Sequence, residues 1–286
     1  MRLRQNMDSL NVYQNYKKNL NIQSGVLNRI STGQKINSAK DSPNKLGQSE
    51  QFRMQIRGLQ AAEKNLQDGV SMMQATDGSL ENVSVSLVRI KELTVQAGNG
   101  TNNEGDLKVI QLEIDQLKQH IDYTAKNSSF NGVNLIGNDI VSDNNNPEYK
   151  TSMIGANVRD EIKIPMFNIY SDNLRDKDGN SLGGVDVTKP ENINKNLSAI
   201  DGAIVSVNSI RSKYGAIQNR MESTYNNVGD NVMSLENADS SIRDADIGIE
   251  MSEYARTSIL HEASTALLAQ TNRFPSEILS ILERVK

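Results

Sequence analysis

The sequence predicts a mainly α protein: long antiparallel coiled-coil helices drawn from both chain ends, with a small β-hairpin and loop region in the middle. Three observations carry this. An apolar residue recurs at every seventh position from Ile193 through Ile200, Val207, Tyr214, Met221, Val228, Leu235 and Ile242 to Ile249. A second heptad series, Leu66, Met73, Leu80 and Leu87, lies in the first half of the chain. Between them, from Val133 to Pro190, glycine, asparagine and aspartate displace the periodic pattern. Sustained heptads place one narrow apolar stripe along a helix, which must be covered by another long helix.

The first helix is expected from Leu3, Met7, Leu10, Tyr13, Tyr16, Leu20, Leu27 and Ile30, ending near Ser31-Thr32-Gly33, with glycine as terminator. Gln34 to Pro43 is polar and turn-rich, a loop. Helix resumes around Lys45 and runs to about Ala97, with Val70, Val83 and Ile90 widening the heptad stripe. Gly98 to Asn103 breaks it. A third helix follows on Leu107, Ile110, Ile114, Leu117 and Ile121, closed by Asn127 to Gly132. In the middle region Glu161 to Ile164 alternates like a strand, and Asp178-Gly179-Asn180 reads as a turn.

The stretch after Pro190 holds no proline until Pro275. A continuous helix from Ile193 to Leu235 would be roughly 65 Å long at ~1.5 Å per residue. A companion series four residues on (Leu197, Ile204, Arg211, Gln218, Tyr225, Val232) is expected to complete its seam, while Gly202, Gly215 and Gly229 weaken it locally. Beyond Ile242 the apolar positions Ile247, Met251, Ala255, Ile259, Leu260, Ala263, Ala266 and Leu267 spread over more than half the helix circumference, which implies several partners. Pro275 is expected to interrupt this helix, leaving Ile278, Leu279, Ile281 and Leu282 as a last amphipathic turn.

Composition narrows the function. The chain has 286 residues and a net charge of −4, so it carries no basic footprint for nucleic acid. Aromatic content is 4% with no tryptophan, thin material for a thick core. Without cysteine there are no disulfides or thiolate metal sites. No signal-type apolar segment follows Met1, and no run is long enough to insert in a membrane. Chemistry is equally sparse. His261-Glu262 opens a zinc-protease pattern, but Thr265 stands where the second histidine is needed, so His261 reads as a surface histidine. Asp244 and Asp246 suit helix capping better than shared acid–base work. We expect no catalytic, cofactor-binding or metal residues, and not an enzyme.

Several motifs resemble bacterial flagellin. They are Met1 to Asn6, Leu27 to Gly33 followed by Ile36-Asn37-Ser38-Ala39, Gln55 to Leu59, Asn65 to Val70, Arg89 to Ala97 with Asn99 to Asn102, Phe130-Asn131-Gly132 and Ile154 to Asn157. In the second half they are Gly215 to Ser223, Ser241 to Ile247, and Leu268 to Asn272 with Pro275. The loop Ser38–Leu46 and the tail from Asn272 depart from the family, which leaves a principal subunit and a minor paralogue both open.

The resemblance implies a filament subunit for swimming motility, exported unfolded by the flagellar type III system to an extracellular flagellum. Residues 1–44 and 240–286 would be inner-tube helices, 45–139 and 190–239 the outer-tube rod, and 140–189 a short variable region exposed to solvent. The implied assembly residues are Leu3, Met7, Leu10, Leu20, Leu27, Ile247, Met251, Ile259, Leu260 and Leu267. Implied partners are copies of itself, an export chaperone, the filament cap and hook-junction proteins, and Toll-like receptor 5 through Arg89, Leu93 and Glu113. Ser142, Thr151 and Ser171 are candidate sugar acceptors. The two ends, about Met1–Lys40 and Ile242–Lys286, are expected to be weakly ordered in the monomer and to become helical on assembly, because alone they have too few neighbours to offset chain entropy. Alternatives are a hook–filament junction protein, a filament with an embedded enzyme, and an unrelated coiled-coil signalling rod. Gly215 to Ser223 and Ser241 to Ile247 favour flagellin over the junction protein; Val133 to Pro190 holds no histidine or cysteine for an enzyme.

Overall fold

The computed structural model describes residues 6–137, 141, 144, 146–176 and 178–284, so Leu3 and Ser142 lie outside the described residues. The helices are α1 (Met7–Thr32), α2 (Pro43–Ala97), α3 (Glu104–Asn127), α4 (Ile193–Arg243) and α5 (Ile247–Arg284). Strands β1 (Ser129–Phe130), β2 (Val133–Asn134), β3 (Glu148–Met153) and β4 (Glu161–Met166) fall between α3 and α4. Two compact units result, residues 57–232 and residues 1–56 with 233–286.

In the unit of residues 57–232, the α2 heptad Leu66, Met73, Leu80 and Leu87 is fully buried, with Val83 and Ile90 beside it. Ile114 and Ile121 of α3 and Ile200, Val207, Tyr214 and Met221 of α4 complete the core. The companion series on α4 is corrected in its first part, while its last member, Val232, is buried as expected. Asn196, Ala203 and Ile210, three residues on from the heptad positions, are buried, whereas Leu197, Ile204 and Arg211 are only half-buried. The reason lies in the middle region, which packs on that side. Tyr214 Oη lies 3.2 Å from Leu135 O and 2.9 Å from Pro165 O, its ring meets Phe167 edge-on at 5.6 Å, and Asn196 donates to Asp186 O at 2.7 Å.

The middle region has its own buried side: Ile162, Ile164, Phe167, Ile169, Leu174, Leu182, Val185 and Val187. β3 and β4 pair antiparallel with Lys150 opposite Ile164, and β3 is mostly exposed. Polar side chains of α3 hold the segment after β4. Gln111 accepts from Val187 N at 2.8 Å. Lys118 is buried and donates to Val185 O at 2.7 Å and Gly183 O at 3.3 Å. Asp122 accepts from Ser171 N at 2.7 Å and Ser171 Oγ at 2.9 Å. Charge-assisted bonds of this kind offset the desolvation of the buried ammonium.

Asn127 ends α3 as expected, but residues 129–134 form a hairpin rather than a plain helix stop. Asn131 and Gly132 sit at φ 49° and 76°, the left-handed pair that a two-residue turn between twisted strands requires.

In the other unit, α1 and α5 pack along one another. Contacts run from Arg29–Glu250 through Tyr16–His261 to Ser9–Asn272, so numbers fall on one helix as they rise on the other and the pair is antiparallel. Gly33, at φ 68°, ends α1 in the left-handed conformation. The two linkers then zip together: Lys35 N donates to Arg243 O at 2.6 Å and Ala245 N to Gly33 O at 2.9 Å. Asp246 Oδ1 caps α5 by accepting from Gly248 N at 2.8 Å and Ile249 N at 3.2 Å. The heptad therefore stops at Arg243, and Ile249 is an exposed residue of α5.

Pro275 does not interrupt α5, contrary to expectation. A proline inside a helix deprives the carbonyl four residues back of its donor. That carbonyl belongs to Thr271, and Asn6 Nδ2 donates to it at 2.9 Å. The same Asn6 caps α1, its Oδ1 accepting from Ser9 N at 3.1 Å. One side chain thus serves the start of α1 and the interior of α5.

Tyr214→Phe should lower the stability of the 57–232 unit by ~1–2 kcal/mol, because it withdraws the one donor that two buried carbonyls share. Denaturant unfolding followed at the β3–β4 segment measures this.

Candidate functional site

The candidate assembly residues reach their positions through an inverted arrangement of α1. Its inner side carries Val12, Tyr16, Asn19, Gln23, Val26 and Ile30, alternating threes and fours, and only Val26 is fully buried. Met7, Leu10, Tyr13, Leu20 and Leu27 face outward and are exposed. In α5 the inner side is Tyr254, Thr257, His261, Ser264, Leu268 and Thr271. Ile247, Met251, Ile259 and Leu267 are exposed, and Leu260 is half-buried at the edge of the seam. The side chains of 278, 279, 281 and 282 lie outside the description. Water ordinarily drives the largest apolar groups inward. Here they stand outward at helical spacing, a pattern that marks an association surface.

Polar contacts fix the seam. Arg29 grips Glu250 with two nitrogens, Nε at 2.8 Å and Nη2 at 2.9 Å. The paired carboxylate raises the Arg29 pKa above its ordinary value against the opposing effect of burial. His261 is not a surface histidine: it lies half-buried against Tyr16, ring centroids 5.0 Å apart, with Nδ1 buried and without a hydrogen-bond partner. At the α1–α2 linker Asp41 accepts from Asn37 N at 3.1 Å, Ser38 N at 3.0 Å and Ser38 Oγ at 3.1 Å, which lowers its pKa. Arg243 reaches Gln34 Oε1 at 3.1 Å, Glu50 Oε1 at 3.3 Å and Ser49 Oγ at 3.4 Å. Sequence reasoning missed Asn6, Arg29, Arg243 and Glu250, although the antiparallel pairing of the two ends implies opposite charges at matching heights.

The second candidate set divides. Arg89 and Glu113 are brought together, Nη2 to Oε1 at 2.9 Å, with Glu92 at 3.2 Å from Nη1. Both carboxylates raise the Arg89 pKa, Glu113 the more. Val85, Val88, Val109 and Leu112 are exposed on the same two helices. Leu93 is a correction: at 2% exposure it belongs to the core and presents no surface to a receptor. Ser171 is likewise buried and bound to Asp122, so it offers no free hydroxyl for a sugar, whereas Thr151 is exposed.

Among the described residues, no cluster of histidine, aspartate and glutamate has the arrangement of a metal site, and no helix is long and apolar enough to cross a membrane. A pair of antiparallel helices with outward apolar faces, beside a unit with its own buried core, defines the class: a helical structural protein that leaves large apolar side chains of α1 and α5 exposed.

Comparison with known proteins gives the family. Residues 3–139 match the bacterial flagellin N-terminal helical region and residues 197–282 its C-terminal helical region. Flagellin of Bacillus subtilis is 37% identical over 303 aligned positions, covering 99% of this chain and 100% of that protein. The flagellar filament 30.7 kDa core protein of Treponema maltophilum is 35% identical, covering 90% of this chain and 91% of the relative. A solved structure described as a flagellar hook-associated protein from Vibrio parahaemolyticus aligns with TM-score 0.61 at 15% identity, over 71% of this chain and 100% of that one, and shares the fold. The chain belongs to the bacterial flagellin family. It is a structural subunit of the extracellular flagellar filament, a self-assembling polymer, and not an enzyme.

Asp41 gives a pH signature. Its folded pKa lies below the ordinary aspartate value of ~3.9, so the stabilisation of the 37–41 turn is complete above that value and is lost as pH falls through the lower folded pKa. Amide exchange at Asn37 and Ser38 should accelerate in that acid window, and Asp41→Asn should show fast exchange at neutral pH.

Proposed function

We propose that the outward faces of α1 and α5, carried by Met7, Leu10, Leu20, Leu27, Ile247, Met251, Ile259 and Leu267, are the surfaces by which one subunit meets its neighbours in the filament. The observation that supports this is the arrangement of α1: Val12, Tyr16, Asn19, Gln23, Val26 and Ile30 make the seam, while its methionine and leucine side chains stay exposed outside it. Full burial of such a side chain contributes ~1.5–3 kcal/mol, so eight of them supply ample driving force for association. In this reading residues 1–44 and 240–286 line the inner tube, 45–139 and 190–239 form the outer tube, and 140–189 lie towards the outside of the filament.

The same exposed faces need shielding before assembly, which is the task we assign to an export chaperone acting on α5. The chain ends gain their full helical order only when neighbours cover them. Cap and hook-junction proteins meet the same faces at the two ends of the polymer. The unfolded export route and the part played in swimming follow from the same reading.

Ile259→Glu should abolish seeded polymerisation, because an unpaired buried carboxylate costs far more than one contact returns. Circular dichroism of the monomer should stay unchanged. Sedimentation and electron microscopy read the outcome, and normal filaments from this variant would refute the assignment.

A second reading rests on the Arg89–Glu113 pair in its exposed apolar surround. We assign this patch to recognition by Toll-like receptor 5. Arg89→Ala should reduce receptor signalling without changing the melting temperature. Leu93→Ala should instead destabilise the fold by ~2–5 kcal/mol through a core cavity. A reporter assay beside thermal unfolding separates the two effects.

A further inference from the structure

The chain has ten methionines and no cysteine, so thioethers are its only sulfur. Their placement is uneven. Met73 and Met221 are fully buried in the 57–232 unit. Met7 on α1 is 56% exposed and Met251 on α5 is 51% exposed, and both stand on the outward faces described above. We propose that Met7 and Met251 are oxidation sites, and that their conversion to sulfoxides blocks incorporation of the free subunit. This rests on the reading of those faces as the surfaces between subunits.

The chemistry needs one co-reactant, a two-electron oxygen-atom donor such as hydrogen peroxide or hypochlorous acid. A lone pair on the thioether sulfur attacks the terminal oxygen. The O–O or O–Cl bond breaks, an S–O bond forms, hydroxide or chloride leaves, and the hydroxysulfonium proton passes to that hydroxide or to solvent water. Sulfur is oxidised by two electrons and the donor is reduced by two; no protein group is needed as base. Accessibility then selects the site, because the sulfur must meet the oxidant in solution. Buried Met73 and Met221 are closed to it while the fold is intact.

The product matters because of where it sits. Methionine is flexible and polarisable, and fits irregular apolar contacts well. A sulfoxide in the same place is polar and accepts hydrogen bonds. Exposed Leu10 stands one turn from Met7 and exposed Ile247 one turn from Met251, and neither offers a side-chain donor. Buried there against an equivalent apolar face, the sulfoxide oxygen loses its water without replacement. Met54, Met153 and Met233, also exposed, stand on α2, β3 and α4 and serve as positional controls.

The test uses full-length monomer treated with a small excess of hypochlorous acid, quenched, then added to filament seeds. Peptide mass spectrometry should show a gain of ~16 Da at Met7 and Met251 and none at Met73 or Met221. The critical concentration for growth should rise at least ~tenfold, the factor that a single unpartnered polar group produces. The Met7→Leu/Met251→Leu protein keeps the apolar volume and should grow normally after the same treatment. Met54→Leu/Met153→Leu/Met233→Leu should stay sensitive. Equal sensitivity of the Met7→Leu/Met251→Leu protein, or growth of the oxidised protein at the untreated rate, overturns the inference. The assembly reading is judged separately, by whether Ile259→Glu abolishes growth of untreated protein.

Discussion

Everything in the terminal unit depends on the seam between α1 and α5. Two helices that paired through leucines would bury them and close the surface. Here the seam mixes Val12, Tyr16, Val26, Ile30, Tyr254 and Leu268 with Asn19, Gln23, Thr257, His261 and Ser264, closed at one end by Arg29–Glu250 and at the other by Asn6 on Thr271. Such a seam sets register and antiparallel orientation by hydrogen bonds and shape. It uses only part of the apolar surface that the two helices carry. The free energy that would have been gained inside stays available outside.

The 57–232 unit follows the opposite rule. Its heptads point inward, its largest buried aromatic is tied to two backbone carbonyls, and α3 fastens the middle region by Gln111, Lys118 and Asp122. Polar side chains serve there to orient a segment over an apolar core. A filament subunit needs both kinds of construction. In the proposed assembly, one part is rigid before neighbours arrive, and another leaves its apolar faces free for them.

Proline and histidine show how local rules yield to context. Pro275 stays within α5 because a partner helix supplies the donor its ring removes. His261 is drawn into the seam because Tyr16 offers its ring at the matching height. Neither outcome follows from the residues flanking it.

The sequence by itself determined the helices, their limits at Gly33, Ala97 and Asn127, the antiparallel partnership of the ends, the family and the absence of catalytic motifs, because periodicity, capping and motif order are local properties of the chain. It also pointed to Met7, Leu10, Leu27, Ile259 and Leu267 as apolar helix positions. Only the tertiary structure decided which face of α1 turns inward, that α4 buries Asn196, Ala203 and Ile210 rather than their neighbours, that Leu93 is core while Arg89 pairs with Glu113, and that Asn6 repairs the gap left by Pro275. The physical reason is the same in each case. A heptad names a stripe, but which side of that stripe is buried depends on what residues far away in the chain bring against it.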